Sequence, residues 1–176
     1  MGKGEGGSCT AGETRELRVA VFLDAPNLYR GTKGNGVSID PSEVLEHSRS
    51  FGRLAVAVAY LALKDGLPVD YLARTYSEAG YSVRFVPPTF NTKDVDTTMV
   101  ADIVQASYED HADVFVVVTG DTDFVPALEI ARRQGKRVVV LAFPDSCGEA
   151  LRRRADVFVA LPIRAVASAG IAMVVA

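Results

Sequence analysis

Short apolar runs rich in Val, Leu, Ala and Phe recur along the chain and alternate with segments that have helical patterns. Strands covered on both faces of a sheet form such continuous apolar runs. Alternation of strand and helix predicts right-handed crossovers and a mainly parallel sheet between two helical layers. We therefore expect a three-layer α/β/α fold with strands at Val19–Leu23, Leu54–Leu63, Val83–Val86, Val114–Val118, Val138–Phe143 and Val157–Leu161.

Capping residues and glycines predict the helix ends between these runs. Asp40–Glu43 combines an N-cap, a proline at the first helical position and a glutamate in the first turn. Ser146–Glu149 is a second predicted capping box, with Ser146 at the N-cap and Glu149 three residues later. Two further helices are predicted at Leu67–Ala79 and Phe124–Gln134, and each is followed by a glycine suited to ending a helix.

Several segments are expected to lie outside the regular elements. Arg30–Val37 is glycine-rich and Pro87–Lys93 precedes a helix, so both are expected to be loops. Residues 1–16 are rich in glycine and polar side chains, which favours a disordered tail. Residues 163–176 are apolar but shorter than the roughly 20 residues that cross a bilayer. We interpret them as a packed element or an oligomer contact after a single domain at 17–162.

The composition restricts the class of protein. The formal net charge of −3 argues against a polycation that coats nucleic acid, but not against contact through a local basic face. The two cysteines argue against a disulfide framework and fit a reducing cytoplasm. Because the chain also has only two histidines, a structural zinc site is not expected.

Acidic residues directly follow two of the predicted strands, the first and the fourth. Asp24 follows the first run directly, with Asn27 three residues later, and Asp121 and Asp123 follow the fourth run. Ligands of open parallel sheets bind outside the carboxyl ends of strands, where the strand order reverses. If the first and fourth strands are neighbours, as in a sheet of order 3-2-1-4-5, these side chains meet in one crevice.

Asp96 joins this group through a helical pattern. Met99 and Val100 begin the apolar stripe of a helix expected to start near Val95, and Asp96 heads that stripe, facing the crevice. Carboxylates brought together repel each other unless a cation neutralises them, and oxygen ligands favour Mg²⁺ or Mn²⁺. Such an ion promotes phosphodiester hydrolysis. The predicted metal-binding and catalytic residues are Asp24, Asp96, Asp121 and Asp123.

Four other side chains are candidate contacts to a substrate. Asn27 offers an uncharged amide that can orient a ligand or a water molecule. Thr119 and Thr122 flank the acids and are expected to hydrogen-bond to a phosphate or to a metal-bound water. Lys93 is the best candidate for a phosphate contact, and an ordinary loop lysine is an equal alternative.

Each acid also has a purely structural explanation. Asp24 and Asn27 are common turn residues, and Asp96 and Asp121 are common helix N-caps. Their joint placement at two strand ends and one helix start favours a functional site over separate local roles. Asp102 lies off the apolar stripe and is expected to be solvated. Three basic clusters are either solvated helix faces or contacts to a polynucleotide backbone: Arg132–Arg133, Lys136–Arg137 and Arg152–Arg154.

Four segments together carry a family resemblance: FLDAPNLYR, KDVDTTMVADIV, VVVTGDTDFVPALEIARRQGKRVVVLAF and ALRRRADVFVAL. Through them the chain resembles the NYN domains of the LabA-like group, within the PIN-like nuclease superfamily. It spans about Arg18 to Leu161 and implies a PIN-like sheet of order 3-2-1-4-5 with a metal-dependent ribonuclease site. Between Asp24 and Asn27 this chain has Ala25 and Pro26, where many relatives have a glycine and an acid.

The family motifs imply roles for individual positions. The family's acidic metal-binding positions are matched by Asp24, Asp96, Asp121 and Asp123, and its strand-1 asparagine by Asn27. The implied function is a metal-dependent endoribonuclease that acts on single-stranded RNA with Mg²⁺ or Mn²⁺. The alternative is a non-catalytic regulatory module that binds RNA or a protein and keeps a relic metal site.

Other aspartate-based phosphotransfer enzymes are disfavoured. A haloacid-dehalogenase-type phosphatase requires a second aspartate where this chain has Pro26, and a Toprim-type site requires a glutamate in place of Asp24. No glycine-rich phosphate loop follows the first strand, which disfavours a dinucleotide enzyme. No membrane partner is expected, and any homo-oligomer is expected to form through the apolar C-terminus.

Overall fold

The computed structural model describes residues 15–63, 67–87 and 94–163. Within them, six parallel strands form one sheet of order β3-β2-β1-β4-β5-β6. The predicted α/β class and the order 3-2-1-4-5 are confirmed, and a sixth strand pairs with the fifth. The strands are β1 (Arg18–Asp24), β2 (Arg53–Ala62), β3 (Ser82–Val86), β4 (Val114–Val118), β5 (Arg137–Ala142) and β6 (Val157–Ala160).

Helices connect the strands and cover both faces of the sheet. The α-helices are α1 (Ala25–Asn35), α2 (Pro41–Arg49), α3 (Val69–Ala79), α4 (Asp94–Tyr108), α5 (Val125–Arg133) and α6 (Glu149–Arg154). Short 3₁₀ turns at Thr122–Phe124 and Pro144–Ser146 precede α5 and α6. The expected N-cap of α2 is confirmed, because Asp40 accepts a hydrogen bond from the backbone N–H of Ser42 at 2.9 Å.

Two hydrophobic cores lie on the two faces of the sheet, because successive strand residues point to opposite sides. On one face, Val21 and Val116 belong to a core with Leu45 of α2 and with residues of α1 and α3. On the other face, Phe22 and Phe115 belong to a core with residues of α4, α5 and α6. All five residues of β4 are buried, which explains why its sequence is a continuous apolar run.

The predicted loop at Arg30–Val37 was wrong, because α1 continues to Asn35 and ends at Gly36, whose φ is 63°. The Asn35 amide donates to the carbonyl of Gly31 at 2.9 Å and supports the last turn. Gly31 does not break the helix here: a Cβ at this position would lie 2.5 Å from the ring of Phe143. The glycine therefore permits a close tertiary contact.

The predicted capping box at Ser146–Glu149 was also wrong. Gly148 is the N-cap of α6 and has no side chain with which to cap it. Ser146 instead ends a 3₁₀ turn, and its hydroxyl contacts the carbonyl of Phe143 at 3.5 Å. Gly148 occupies the cap position because a Cβ there would lie 2.2 Å from Thr122 Cγ2, so tertiary packing overrides local capping.

Some expectations concern residues outside the described ranges. The segments concerned are most of the tail at 1–16, nearly all of the extension at 163–176, and most of the loop at Pro87–Lys93, including Lys93 itself. The helix expected near Val95 begins at Asp94. Among the described residues, no helix combines the length and apolar character needed to cross a membrane.

Candidate metal centre

The carboxyl ends of β1 and β4 are joined through the side chain of Thr119. Leu23 and Val118 are paired in the parallel register, so Asp24 and Thr119 leave the sheet side by side. The Thr119 hydroxyl donates to Asp24 Oδ2 at 3.3 Å and accepts the backbone N–H of Asp121, also at 3.3 Å. One buried hydroxyl thus fixes the start of the acidic loop relative to β1.

Asn27 provides a second connection between the same two segments. Its backbone N–H donates to Asp24 Oδ1 at 2.9 Å, which caps the start of α1. Its side-chain Oδ1 accepts the backbone N–H of Gly120 at 3.2 Å. The Asp-x-x-Asn spacing therefore lets one residue cap the helix while the other holds the loop after β4.

Asp24 is a carboxyl group in an unfavourable environment for its charge. It is 1% exposed, and burial raises its pKa to about 6. The nearby charge of Asp96 raises the pKa further, whereas the Asn27 N–H, the Arg30 charge and the Thr119 hydroxyl lower it. A cation bound near Asp24 would favour its ionised form.

Three other carboxylates lie close together in front of these strand ends. Asp96, Asp121 and Asp123 each offer an oxygen, and the three atoms lie within 4.8 Å of one another. Asp96 is in the first turn of α4, and Asp121 Oδ1 accepts the N–H of Asp123 at 3.0 Å to cap the 3₁₀ turn. Asp96 and Asp121 are half-buried and Asp123 is exposed. This cluster of hard oxygen donors fits a divalent cation.

The NYN domain family matches residues 18–162, which is most of the chain. The chain belongs to the NYN domain family. Membership implies the PIN-like nuclease superfamily, in agreement with the strand order and with the acidic cluster at the carboxyl edge of the sheet.

Two curated relatives resemble this NYN domain. An uncharacterized protein of Methanocaldococcus jannaschii is 28% identical over 141 residues, which cover 80% of this chain and 54% of the relative. The chain thus spans about half the length of that relative. The low amplitude and bright protein LabA of Synechococcus elongatus is 26% identical over 160 residues, covering 84% of this chain and 85% of LabA.

A solved structure shares the fold of this NYN domain. It is a protein of unknown function from Vibrio parahaemolyticus, with a TM-score of 0.75 and 21% identity. The similarity covers 85% of this chain and 95% of the Vibrio chain. At this level of identity the likeness shows the fold alone.

The structure of the NYN domain places the predicted site residues in two sets. Asp96, Asp121 and Asp123 form the tight cluster, and Asp24 lies outside that trio. Thr119 is 2% exposed and its hydroxyl is engaged on both sides, which favours a positioning role over the phosphate contact expected from the sequence.

The other two candidate contacts differ in how far the structure describes them. Thr122 is exposed and begins the 3₁₀ turn that leads to α5. Lys93, the expected phosphate contact, lies outside the described residues. Its role therefore stays a prediction from the sequence.

Sequence reasoning missed two glycines that shape the acidic loop of the NYN domain. The N–H of Gly148 donates to the carbonyl of Gly120 at 3.0 Å. A Cβ at Gly120 would lie 2.7 Å from the carbonyl oxygen of Ser146. The glycine between Thr119 and Asp121 was the available signal, but it does not identify the segment packed against it.

Asp102 was wrongly expected to be solvated. It accepts the hydroxyl hydrogen bond of Tyr60 at 2.7 Å and forms an ion pair with Arg84. Tyr60 is fully buried, so its hydroxyl requires a partner at the surface of the core. Asp102 thus has a structural role on α4, separate from the cluster that contains Asp96.

Proposed function

We propose that this NYN domain is a metal-dependent ribonuclease that hydrolyses RNA phosphodiester bonds at the acidic cluster. The observation that supports the proposal is the approach of Asp96, Asp121 and Asp123 oxygens to within 4.8 Å at the carboxyl edge of the sheet. Family membership adds that such a site belongs to a nuclease superfamily. A reducing, cytoplasmic location agrees with the low cysteine content.

Asp96, Asp121 and Asp123 would hold Mg²⁺ or Mn²⁺ through their carboxylate oxygens. When bound, the ion supplies positive charge that stabilises the phosphoryl group under attack and makes water a better nucleophile. Asp24 adds a buried negative charge beside Asp96, which strengthens the preference for a cation.

The chemical step is the transfer of a phosphoryl group to water. The water oxygen forms a bond to phosphorus and gives up one proton, while the bond from phosphorus to a bridging oxygen breaks and the released oxygen takes up one proton. Asp123 is the exposed carboxylate of the cluster and can accept the hydrogen bond of an attacking water. Thr119 and Asn27 act as positioning residues, because the Thr119 hydroxyl accepts the Asp121 N–H and the Asn27 side chain accepts the Gly120 N–H.

Asp121→Asn tests the assignment because it preserves shape and the cap of the 3₁₀ turn while it removes charge. We expect the purified protein to cleave single-stranded RNA only with Mg²⁺ or Mn²⁺, and the variant to lose at least about 100-fold in rate. Glu78→Gln, at an exposed position of α3 on the other face of the sheet, is the matched control and should keep full activity. Retention of metal-dependent cleavage by Asp121→Asn, in ribonuclease-free preparations, would defeat the proposal.

A non-catalytic module that binds RNA or a protein is the second candidate. The observation in its favour is that Asp24, the acid at the end of β1, lies outside the carboxylate trio. Calorimetric titration with Mn²⁺ separates the two functions. Binding that depends on Asp96 and Asp121 together with cleavage supports the nuclease, whereas undetectable binding at millimolar metal supports the module.

A further inference from the structure

A basic concavity of about 730 Å³ lies at the amino edge of the sheet, opposite the acidic cluster. Its position follows from the strands, because Lys136 and Arg137 stand at the start of β5 and the acidic loop follows the end of β4. Five cationic side chains line it: Arg132, Arg133, Lys136, Arg137 and Arg154.

The two acids of the basic concavity are already engaged in holding the local structure. Asp156 pairs with Arg132 at 2.9 Å and accepts the backbone N–H of Val138 at 2.8 Å. Glu129 accepts a hydrogen bond from Arg154 Nε at 2.7 Å. Each of these guanidinium groups has five N–H donors, so a single carboxylate contact leaves several donors for another anion.

The remaining cations give the basic concavity an excess of positive charge. Lys136 Nζ donates to the carbonyls of Glu109 and Ala112, at 2.9 and 2.8 Å, which fixes the ammonium group without neutralising it. The Arg133 side chain is 74% exposed, and its nearest approach to Glu129 is 3.8 Å. Five cations and two acids leave a local excess of three positive charges in a chain whose net charge is −3.

Helix α5 connects the basic concavity to the acidic cluster. The 3₁₀ turn that contains Asp123 leads into α5, and the helix ends at Arg132 and Arg133. Nine helical residues span about 14 Å at the usual rise per residue. One strand of a duplex rises about 3.4 Å per nucleotide and a single strand can extend further, so a few nucleotides cover this distance.

We propose that the basic concavity lined by Arg132, Arg133, Lys136, Arg137 and Arg154 binds backbone phosphates of the RNA strand whose scissile bond lies at the acidic cluster. Guanidinium groups fit phosphate because two N–H donors can contact two oxygens at once. A repeating polyanion also suits a site with dispersed cations better than a single small anion does. The inference rests on the proposed function for the identity of the strand, but its own claim is phosphate binding at the amino edge.

Binding without cleavage tests the inference directly. We would measure fluorescence anisotropy of a labelled 2′-O-methyl RNA of about twelve nucleotides, in EDTA, for the whole chain. Arg133→Glu should weaken binding about tenfold and lower the slope of log affinity against log salt by about one. Arg74→Glu, an exposed charge reversal on α3, is the matched control and should bind within about twofold of wild type.

A second variant guards against a local folding defect. Arg132→Gln combined with Arg133→Gln removes two charges without adding acids, and circular dichroism establishes that each variant is folded. The inference is overturned if Arg133→Glu and the double glutamine variant are folded and bind RNA like wild type. It is also overturned if Arg74→Glu loses as much RNA affinity as Arg133→Glu does. Competition by polyglutamate as strong as that by unlabelled RNA of equal length would also overturn it, in favour of an acidic protein segment.

The inference and the nuclease proposal can fail separately. Suppose that wild type binds the oligonucleotide, that Arg133→Glu loses binding, and that unmodified RNA is not cleaved in the presence of metal. Phosphate binding at the basic concavity is then supported and the nuclease proposal fails. If wild type cleaves RNA and Arg133→Glu binds and cleaves like wild type, the nuclease stands and the basic concavity is not its RNA contact.

Discussion

The Thr119 hydroxyl donates a hydrogen bond to Asp24 Oδ2 at 3.3 Å and thereby joins the ends of β1 and β4. Because the same hydroxyl accepts the N–H of Asp121, the position of the acidic loop depends on it. The buried Asp24 carboxyl and Asp121 of the acidic cluster are thus linked through a side chain that is itself buried.

Thr119→Val should weaken the site without removing any carboxylate. The change keeps the shape of the side chain but leaves Asp24 with one donor fewer and the Asp121 N–H without its acceptor. We expect a loss of about 1–2 kcal/mol in the free energy of unfolding and about tenfold in Mn²⁺ affinity. Urea denaturation and calorimetry measure the two effects. Thr119→Ser, which retains the hydroxyl, should recover most of the metal affinity, and equal loss in both variants would contradict this role.

Asp24→Asn should change how stability depends on pH. Burial raises the pKa of the Asp24 carboxyl from its ordinary 3.8 to about 6 in the folded protein, so the native state holds the proton more tightly than the unfolded chain does. The free energy of unfolding therefore falls as pH rises through this interval, by about 3 kcal/mol for the metal-free protein, and remains lower above it. Asparagine has no such proton and still caps α1.

The measurement compares wild type and Asp24→Asn by urea denaturation in EDTA. We expect nearly equal stability at about pH 4 and an advantage for the variant of about 1–3 kcal/mol at about pH 7.5. The difference between the two proteins isolates Asp24 from other titrating groups. A constant difference across this pH range would show that burial of Asp24 does not impose the expected cost.

Gly120→Ala should disturb the acidic loop by displacing the segment packed against it. The added Cβ would lie 2.7 Å from the carbonyl oxygen of Ser146. We expect a loss of about 1–3 kcal/mol in stability and weaker Mn²⁺ binding. Gly34→Ala in α1 is the control, because a Cβ there meets no atom of the described residues within 4 Å. Gly34→Ala should stabilise the protein by about 0.5–1 kcal/mol. If Gly120→Ala has the stability and Mn²⁺ affinity of wild type, the loop can adjust to the added Cβ and the prediction is wrong.

Sequence reasoning predicted the features that depend on apolar periodicity and on strand ends. β4 was predicted at Val114–Val118 and has those bounds, because every position in it is buried. The acids after β1 and β4 approach each other because parallel strands bring their carboxyl ends to one edge. Both features follow from burial and topology, which the apolar pattern and the alternation of strands and helices indicate directly.

The wrong predictions concern contacts between segments far apart in sequence. Gly31 was taken as part of a loop because its partner, the ring of Phe143, is not adjacent in the sequence. Asp102 was expected in solvent because its position off the apolar stripe does not show that Tyr60 and Arg84 lie beside it. Local patterns give no information about such pairs, which are determined by the tertiary structure.

Asp96 and Asp102 lie on the same helix and provide a matched pair for the metal hypothesis. Asp96→Asn removes a member of the carboxylate cluster, whereas Asp102→Asn removes the ion pair with Arg84 and weakens the contact to Tyr60. Saturating Mn²⁺ at about 100 times its Kd should stabilise the wild type by about 2.7 kcal/mol. We expect Asp96→Asn to lose most of this metal-dependent gain. Asp102→Asn should lose about 1–2 kcal/mol of intrinsic stability but keep the full gain.

Thermal unfolding with EDTA and then with Mn²⁺ distinguishes these outcomes in one experiment. The melting temperature of Asp102→Asn should be low in both conditions and rise with metal as much as that of wild type. The melting temperature of Asp96→Asn should hardly respond to metal. Equal metal-dependent shifts of the melting temperature in the two variants would show that Asp96 is not a metal ligand. Loss of a ligand's charge weakens metal binding, and weaker binding gives a smaller stabilisation of the folded protein.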